Sequence, residues 1–390
     1  MNLILFDDLG IRTNLLPFTF TRPVADIRIG IVTIREKWEK QLSCSSSSLT
    51  VDYLQKKYPT TAGSENLFIN GALCPDEKLV STIKNLALGE TLVSGELILA
   101  ARSNTTILPS KEKAIAYTEV FTLIDQPWKI FQHTAAQIKS DFALITKGRK
   151  SADIQDKYTI VYGAENIFIE EGVDIKAAVL NAESGPIYLG KNSVVQEGAL
   201  IKGSFALCEG ATVNMGAKMR GDSTIGPHCK VGGEISNSVL FGFSNKGHDG
   251  FLGNSVLGEW CNLGADTNTS NLKNNYDQVK LWSYAKRGFV STGQQFCGLM
   301  MGDHSKCGIN TMFNTGTVVG VSANVFGDGY PRNFIPSFSW GGSAGFIPYQ
   351  LNKVFETAER VMSRRHVSLT ELDKEILKHI FDSTEELKKA

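Results

Sequence analysis

One histidine stands in a stretch of the sequence whose residues could carry out chemistry. His248 lies within the irregular segment Asn245–Gly258, and a second segment rich in Asn and Gly, Asn262–Asn271, follows it. An imidazole can accept a proton near neutral pH, which makes His248 a candidate general base. The alternative is a histidine of an exposed loop that has no part in a reaction.

Zinc binding is a further alternative, because some enzymes hold a metal ion with three histidines. Between residues 159 and 345 the histidines are His228, His248 and His304, which are too far apart in sequence to form a close ligand pair. The seven cysteines are also scattered, without a C-x-x-C pair. We therefore predict no metal site among these residues.

The elements that position His248 are revealed by an internal repeat. Apolar residues recur every six positions, small residues stand four positions after several of them, and glycines crowd the turns. The apolar run consists of Leu189, Val195, Ile201, Leu207, Val213, Met219, Ile225 and Val231. The small residues are Ser193, Ala199, Ala211, Ala217, Ser223 and Cys229.

A six-residue period is neither the period of an α-helix nor that of a plain strand. It fits a triangular coil in which each unit is a short strand plus a corner, and in which three units make one turn. Such coils bury their apolar side chains only by stacking, as repeat proteins do. The sequence therefore predicts a left-handed parallel β-helix, continued in phase by Met301, Cys307, Phe313, Val319 and Val325, with shorter runs at Ile167, Val173, Val179 and at Phe251, Leu257, Leu263.

The rest of the chain divides around this repeat. Residues 1–158 mix strand-like runs with helical stretches and predict an α/β, Rossmann-like domain, in which Cys44–Ser48 is interpreted as a polar loop. Residues 159–345 are predicted to form the β-helix and residues 346–390 a helical tail. In the tail, Ser368 and Glu371 have the spacing of a capping box that opens the last helix.

Composition limits the class of partner. Forty basic residues balance forty acidic ones without a long run of either sign, which predicts no nucleic-acid or membrane surface. The opening apolar run, Asn2–Phe6, stops at two aspartates and is interpreted as a buried strand instead of a signal peptide. No apolar stretch approaches the roughly 20 residues of a membrane helix. These features favour a cytoplasmic protein whose partners are small molecules or other subunits.

The segment around His248 resembles a known family. It is similar to the bifunctional GlmU-type enzymes of bacterial cell-wall precursor synthesis, which acetylate glucosamine 1-phosphate and then uridylylate the product. The positions that carry this resemblance are His248, Leu252, Gly253, Asn262, Gly264, Ala265 and Asn271.

The resemblance implies a role for each matching residue. His248 would be the general base that takes a proton from the sugar amine as the amine attacks the thioester of acetyl-CoA. Asn262 and Asn271 would bind the sugar, and the Ala265 backbone would lie against the acetyl group and pantetheine. Lys218 and Arg220 would stand where the family has two arginines that include a phosphate ligand. Phe251 replaces a tyrosine of the family's site, and Ser236 replaces a lysine that contacts substrate, so the acceptor is expected to differ.

The first domain resembles the sugar-phosphate nucleotidylyltransferases more distantly. Leu9–Arg12 and Leu16–Val24 stand where that family has its Gly-rich loop and its Arg-Pro-Lys motif. The resemblance implies that Gly10, Arg12 and Arg22 bind nucleotide or phosphate. Phe6-Asp7-Asp8 replace the loop's glycines, and Val24 replaces its lysine. The position of the family's Mg²⁺-binding aspartate is Ala72, which cannot hold a cation.

Two functions remain open from the sequence. The first is a transferase that passes an acyl group from acetyl-CoA to an amino sugar phosphate or sugar nucleotide, with nucleotidyl transfer using NTP and Mg²⁺ if the first domain is active. The second is a sugar-nucleotide-binding or assembly protein whose first domain is silent. The resemblance also implies a homotrimer, and flat prism sides favour three-fold packing. The insertion Leu272–Phe296 carries Lys273, Lys280, Lys286 and Arg287 and is hypothesised to close over phosphate.

Overall fold

The computed structural model describes residues 2–111 and 113–389 of the 390-residue chain. These residues group into two compact units. The first holds the chain up to Leu15, together with Thr21–Ile27 and Val32–Gln126. The second holds Leu16–Phe20, Arg28–Ile31 and the chain from Pro127 onward.

The first unit is built on a mixed six-stranded sheet. Asn2–Phe6 forms the buried strand that its apolar run predicts, and it pairs in parallel with Ser46–Leu49 and with Asn66–Asn70. The sheet then continues through Leu97–Ser103, Thr91–Ser94 and Ala114–Ala116. The remaining elements are the helices Leu9–Asn14, Ile34–Leu42, Asp52–Gln55 and Glu77–Lys84, the 3-10 turn Val24–Asp26, and the paired strands Leu73–Cys74 and Thr122–Leu123. The α/β class predicted for this part is confirmed.

The prediction of a polar loop at Cys44–Ser48 is wrong, because Ser46–Leu49 is an edge strand of this sheet. Serine is a weak strand former, but backbone pairing with Leu3–Phe6 overrides that preference. Two of the three serine hydroxyls are also hydrogen-bonded within the unit, whereas the buried Ser47 hydroxyl has no hydrogen-bond partner among the described residues. Arg35 donates from Nη1 to Ser46 Oγ (2.7 Å) and from Nη2 to Ser48 Oγ (2.5 Å).

The second unit is a parallel β-helix with three faces, as the six-residue period predicts. The first face consists of Ile167–Ile169, Ile187–Leu189, Phe205–Leu207, Ser223–Ile225, Val239–Gly242, Val256–Glu259, Met300–Met301, Val318–Val319 and Phe334–Ile335. The second face consists of Asp174–Ile175, Val194–Val195, Thr212–Val213, Lys230–Val231, Asn245–Lys246, Asn262–Leu263, Lys306–Cys307, Asn324–Val325, Ser339–Gly342 and the antiparallel Gly345–Pro348. The third face consists of Ile160–Tyr162, Val179–Asn181, Leu200–Lys202, Lys218–Met219, Glu234–Ser236 and Phe251–Gly253, followed by the pair Asn268–Thr269 and Met312–Phe313.

Strand register explains the repeat. Leu189 pairs with Leu207 and Leu207 with Ile225, so one coil takes eighteen residues, or three units of six. All eight apolar residues of the main run are at most 2% exposed, and the six small residues are fully buried. The apolar side chains therefore fill the interior, and the small ones allow the corners to close.

The phase of two shorter runs differs from the sequence prediction. In the first coil the interior residues are Ile169, Ile175 and Leu180, which pair with the main run, while Val173 and Val179 are only half-buried. Phe251 is also outside the core, because its neighbour Leu252 pairs with the interior Ile235. The cause is coil length. A coil that departs from eighteen residues shifts which side chain points inward.

Three helices complete the second unit. Pro127–Thr146 packs against strands of the first face, and Leu351–Ser363 is followed by Glu371–Ser383 and the short 3-10 turn Glu385–Lys389; a further 3-10 turn, Ala164–Asn166, lies in the first coil. The predicted capping box at Ser368 and Glu371 is wrong by two residues. Thr370 is the N-cap and forms the box with Asp373, because the helix begins at Glu371. Within the described residues, no helix combines the length and apolar character needed to cross a bilayer.

Candidate functional site

His248 lies at the corner between the second and third faces of the β-helix. The strand Asn245–Lys246 ends just before it, and Phe251–Gly253 begins just after it. Its side chain is exposed and lines two adjoining cavities of about 710 and 680 Å³. Ala265 lines both cavities as well, so the two residues stand where the cavities meet.

The larger cavity, here called the second-face cavity, is cationic. It is bounded by outward side chains of the second face and by the end of the Leu351–Ser363 helix. Its basic residues are Lys230, Lys306, Arg364 and Arg365, and its described lining contains no Asp or Glu. Burial lowers the pKa of Lys306 to about 8, and its Nζ donates to the His304 carbonyl (2.8 Å). Such a surface attracts phosphate groups.

The smaller cavity, here called the corner cavity, has the opposite character. Asp249 and Asp266 line it, together with Met215 and glycines of two successive corners. The two aspartates are adjacent in the coil stack, because the Asp266 N–H donates to the Asp249 carbonyl (3.1 Å). A carboxylate pair beside His248 favours a ligand with a positive charge, such as an ammonium group.

Asn262 and Ala265 lie on the cationic side of His248. Asn262 pairs in register with Asn245 and with Lys306 on the second face. Asn245 Nδ2 donates to Asn262 Oδ1 (3.4 Å), and Arg365 Nη2 donates to Asn245 Oδ1 (3.4 Å). The Ala265 carbonyl accepts from the Asn310 N–H (2.8 Å). The structure thus brings together His248, Asn262 and Ala265.

The other residues expected to bind substrate lie on the third face. Lys218, Glu234 and Phe251 form one register row, and Arg220 Nη1 donates to Glu234 Oε1 (2.9 Å). Asn271 follows the third-face strand Asn268–Thr269 and donates from Nδ2 to Asn254 Oδ1 (2.8 Å). None of these five side chains lines the second-face or the corner cavity.

Gly253 explains the close approach of Phe251 and Asn271. A Cβ atom placed on Gly253 would lie 2.5 Å from Phe251 Cζ and 2.6 Å from Asn271 Nδ2. Both distances are shorter than a van der Waals contact, so a larger residue at this position would displace the ends of the two side chains. The spacing that the sequence comparison singled out therefore corresponds to a packed cluster on the third face.

Lys246 supports His248 from inside the coil, a feature that sequence reasoning missed. It pairs with the interior Val231 and is fully buried where the repeat normally has an apolar side chain. Its Nζ donates to the carbonyls of His248, Asp249 (2.9 Å) and Gly232 (3.3 Å). Burial lowers the pKa of Lys246 to about 8. The ammonium group thus holds the loop that carries His248.

The three β-helix histidines do not converge. His228 and His304 lie at the corner between the first and second faces, in a ring ladder with Phe243 and Trp260. Phe243 and Trp260 stack at 4.2 Å between centroids with nearly parallel planes. His248 lies at the next corner along the coil. The described residues contain no cluster of three metal-ligating side chains of the His, Cys, Asp and Glu types.

In the first unit, the residues expected to bind phosphate are held by other protein groups. Arg12 is 5% exposed and donates to Asp7 Oδ2 (3.0 Å), the Arg22 carbonyl (3.1 Å) and Tyr53 Oη (2.9 Å). Arg22 is equally buried. Gly10 lies in the helix Leu9–Asn14 instead of in a loop. The Asp8 carboxylate caps that helix by accepting from the Ile11 N–H (2.9 Å).

Asp7, Arg12 and the groups bonded to them, here called the Asp7–Arg12 junction, do not fit a magnesium ion. Asp7 accepts from Arg12, from Thr50 Oγ1 (2.5 Å) and from the Val24 N–H (2.8 Å), so its carboxylate is already enclosed by donors. Burial raises the pKa of Asp7, with the Arg12 charge acting in the opposite direction. Ala72 is fully buried and has no oxygen in its side chain. Both carboxylate oxygens of Asp7 are therefore engaged, and Asp8 uses one of its oxygens as the helix cap.

Comparison with known proteins supports the resemblance seen in the sequence. Residues 3–150 match the sugar nucleotidyl transferase family. The chain is 25% identical over 234 residues to a bifunctional sugar-1-phosphate nucleotidylyltransferase/acetyltransferase of Sulfurisphaera tokodaii, an alignment that covers 60% of this chain and 51% of the relative. It is 29% identical over 259 residues to the bifunctional protein GlmU of Methanocaldococcus jannaschii, covering 65% and 55%. The chain thus spans about half the length of these relatives.

A solved structure aligns with the chain at lower similarity. A UDP-N-acetylglucosamine acyltransferase of Arabidopsis is 16% identical, with 54% of this chain and 78% of that chain covered, at a TM-score of 0.24. The assignment of a β-helical fold to the second unit is therefore based on the strand pairing of this chain and not on that alignment. The predicted resemblance to the bifunctional GlmU-type enzymes is confirmed by the family match and the sequence relatives.

Proposed function

We propose that this protein transfers an acyl group from an acyl-CoA, acetyl-CoA in the first instance, to the amine of an amino sugar phosphate or sugar nucleotide. The observation that carries this proposal is the opposite charge of the two cavities that meet at His248. Four cations line the second-face cavity, and two aspartates line the corner cavity. An acyl-CoA is rich in phosphate, and an amino sugar brings an ammonium group, so each cavity has a matching ligand.

The reaction follows from that placement. The bound ammonium group first loses one proton to solvent, because only the neutral amine is a nucleophile. His248 then accepts a second proton from the nitrogen as it attacks the thioester carbonyl, and the C–S bond breaks to release the CoA thiolate. The imidazolium returns its proton to the sulfur. Lys246 keeps the backbone of His248 in place, and the Ala265 backbone lies at the junction against which the acyl group would rest. Asn262 is assigned to ligand binding on the cationic side.

We place the acceptor's phosphate near Lys218 and Arg220. Arg220 is ion-paired with Glu234, with side chains 64% and 33% exposed, so the pair is open to solvent and easily rearranged. Phe251 and Asn271 would pack against the sugar ring from the third face. This assignment gives a role to each residue that the sequence predicts for the transferase site, although Lys218, Arg220, Phe251 and Asn271 lie on the third face outside both cavities.

We further propose a cytoplasmic homotrimer. Support comes from an outward apolar row on the third face, where Ile160, Val179 and Leu200 lie in register and Ile160 and Leu200 are about half exposed. An apolar row of this kind is favoured at subunit contacts. Sedimentation of the purified protein would report three times the monomer mass of 42.6 kDa.

The test of the transferase is a release assay for free CoA thiol with acetyl-CoA and glucosamine 1-phosphate. His248→Ala should lower kcat about 10²–10⁴-fold, the range expected for loss of a general base. His379→Ala is the matched control, because it removes the same side chain from the exposed surface of the last helix. Undiminished turnover in His248→Ala would show that another group accepts the proton.

The alternative that the chain is a sugar-nucleotide-binding or assembly protein with a silent first unit has one supporting observation, the enclosed Asp7–Arg12 pair, which favours the silence of that unit. It predicts that pyrophosphate is not released from UTP or dTTP with Mg²⁺ and a sugar 1-phosphate. Release at a steady catalytic rate would instead establish nucleotidyl transfer and contradict the silent assignment. The two functions are compatible, since they concern different units of the chain.

A further inference from the structure

The insertion Leu272–Phe296 forms a second candidate binding site. Lys280–Ser283 and Gly288–Ser291 pair as an antiparallel hairpin. A cavity of about 710 Å³, here called the hairpin cavity, lies between this hairpin and the last coils of the β-helix. Its volume is in the range that encloses a small organic ligand.

The hairpin cavity has an aromatic wall that is fixed by stacking. Trp282 lies parallel to Phe334 with ring centroids 4.1 Å apart. Phe289 meets Trp282 edge-on at 5.6 Å, and Tyr284 meets Phe334 edge-on at 5.7 Å. Phe289 remains 49% exposed, so part of the wall faces outward. A flat ring of a ligand can stack on such a surface.

Cations surround this wall. Lys273, Lys280 and Arg332 line the cavity together with the polar Thr315 and Asn333, and its described lining contains no acidic residue. The Lys273 ammonium is oriented by the Gln278 carbonyl (2.8 Å). Lys286 and Arg287 do not line the cavity, although the sequence hypothesis grouped them with the other two lysines. They lie in the hairpin turn, where Arg287 pairs with Glu386 (3.3 Å).

We propose that the hairpin cavity binds a nucleoside diphosphate. Its base would stack on the aromatic wall at Phe289, and its diphosphate would lie among Lys273, Lys280 and Arg332. Three cations in a described lining that holds no Asp or Glu suit a diphosphate better than a neutral sugar, and the aromatic wall suits a nucleoside better than inorganic phosphate. Lys273 also pairs with Asp277 outside that lining (3.7 Å), with side chains 31% and 61% exposed, so this pair is weak and can rearrange around a phosphate. None of its lining residues borders the cavities at His248, so this site is separate from the proposed transferase site.

The experiment is calorimetric titration of the 390-residue chain with UDP, with uridine and pyrophosphate in parallel. We expect UDP to bind more tightly than either fragment. Lys280→Glu should raise the Kd of UDP about tenfold or more, because a charge-assisted contact becomes a repulsive one. Phe289→Ala should weaken UDP and uridine but leave pyrophosphate unchanged.

Lys286→Glu is the matched control, since it makes the same change of charge on the same hairpin outside the cavity. It should leave the Kd of UDP within about twofold of the wild type, allowing for long-range charge effects. Equal weakening by Lys280→Glu and Lys286→Glu, equal affinity for UDP and pyrophosphate, or no UDP binding would each overturn the proposal. His248→Ala, which disables the proposed transferase, should leave UDP binding unchanged, so the two proposals fail separately.

Discussion

The corner at His248 and the junction at Asp7 and Arg12 both match family positions in sequence, yet their polar groups have different surroundings. At the corner, His248 is exposed to two cavities, and the cations of the second-face cavity line open space. At the junction, Arg12 and Asp7 are almost fully buried and bonded to each other and to neighbouring protein groups.

The difference shows that residue type at a family position is not enough to assign chemistry. An arginine can bind phosphate only if its donors reach a ligand, and those of Arg12 reach a carboxylate, a carbonyl and a phenol within its own unit. A histidine at a solvent-accessible corner has no such restriction. The comparison therefore favours acyl transfer at the corner and a structural role for the ion pair at the junction.

The largest expected effect tests the structural role of that pair. Asp7→Asn removes the charge that compensates the buried Arg12, and breaking a buried ion pair in this way costs about 3–5 kcal/mol of unfolding free energy. Hydrogen exchange of amides in the first-unit sheet should report this loss. CoA release should be unaffected in protein that remains folded, because the residues around His248 belong to the second unit.

Asp8→Asn is the matched control for this change. Asp8 caps the helix Leu9–Asn14, and asparagine caps helices about as well as aspartate, so little stability should be lost. If Asp7→Asn were as stable as Asp8→Asn, the Asp7 carboxylate would not be needed by Arg12.

A smaller effect is expected at the cationic end of the second-face cavity. Arg364→Gln removes one of the four cations without reaching His248, so the KM for acetyl-CoA should rise about tenfold while kcat stays nearly constant. Steady-state CoA release measures both constants. Arg360→Gln, on the same helix but outside the cavity lining, should leave the KM unchanged. A fall in kcat with no change in KM would place the acyl-CoA phosphates elsewhere.

Most of the fold could be predicted from the sequence, because the six-residue period follows directly from the coil geometry. The prediction held while coils kept eighteen residues, as from Leu189 to Ile225. It failed where Ile225 pairs with Leu240 and Leu240 with Leu257, since those coils are shorter. A fixed period cannot show which residue points inward after such a change, so the burial of Lys246 was missed.

Less of the candidate site could be predicted. His248 and Asn262 could be found because they lie in one continuous irregular segment. Arg364 and Arg365 reach the same cavity only because a helix roughly a hundred residues later folds back onto the second face. The sequence feature that could have identified these two arginines is a basic cluster at the end of an amphipathic helix, but such a cluster is equally typical of a solvated helix end.

The smallest expected effect concerns Lys246, which links the interior of the β-helix to His248. The pKa of Lys246 in the folded protein is about 8, below the ordinary lysine value of 10.5. Between these values the unfolded chain binds a proton that the folded chain does not, so the free energy of unfolding should rise with pH across this window. Lys246→Met removes that contribution. The melting temperature of the wild type minus that of the variant should therefore increase from pH 7.5 to pH 9.5, so that the gap widens in favour of the wild type.

The widening should be modest, about 2–4 °C for each kcal/mol in a unit of this size. Lys306 has a similarly lowered pKa but is present in both proteins, so its contribution cancels in the comparison. Lys191→Met, at an exposed corner, is the control for loss of a lysine.

Lys246→Met should also lower kcat for CoA release with little change in the KM for acetyl-CoA, because the loop that carries His248 loses its ammonium anchor. A pH-independent gap together with unchanged kcat would mean that the corner holds His248 without Lys246, and the contrast with the rigid Asp7–Arg12 junction would then be sharper.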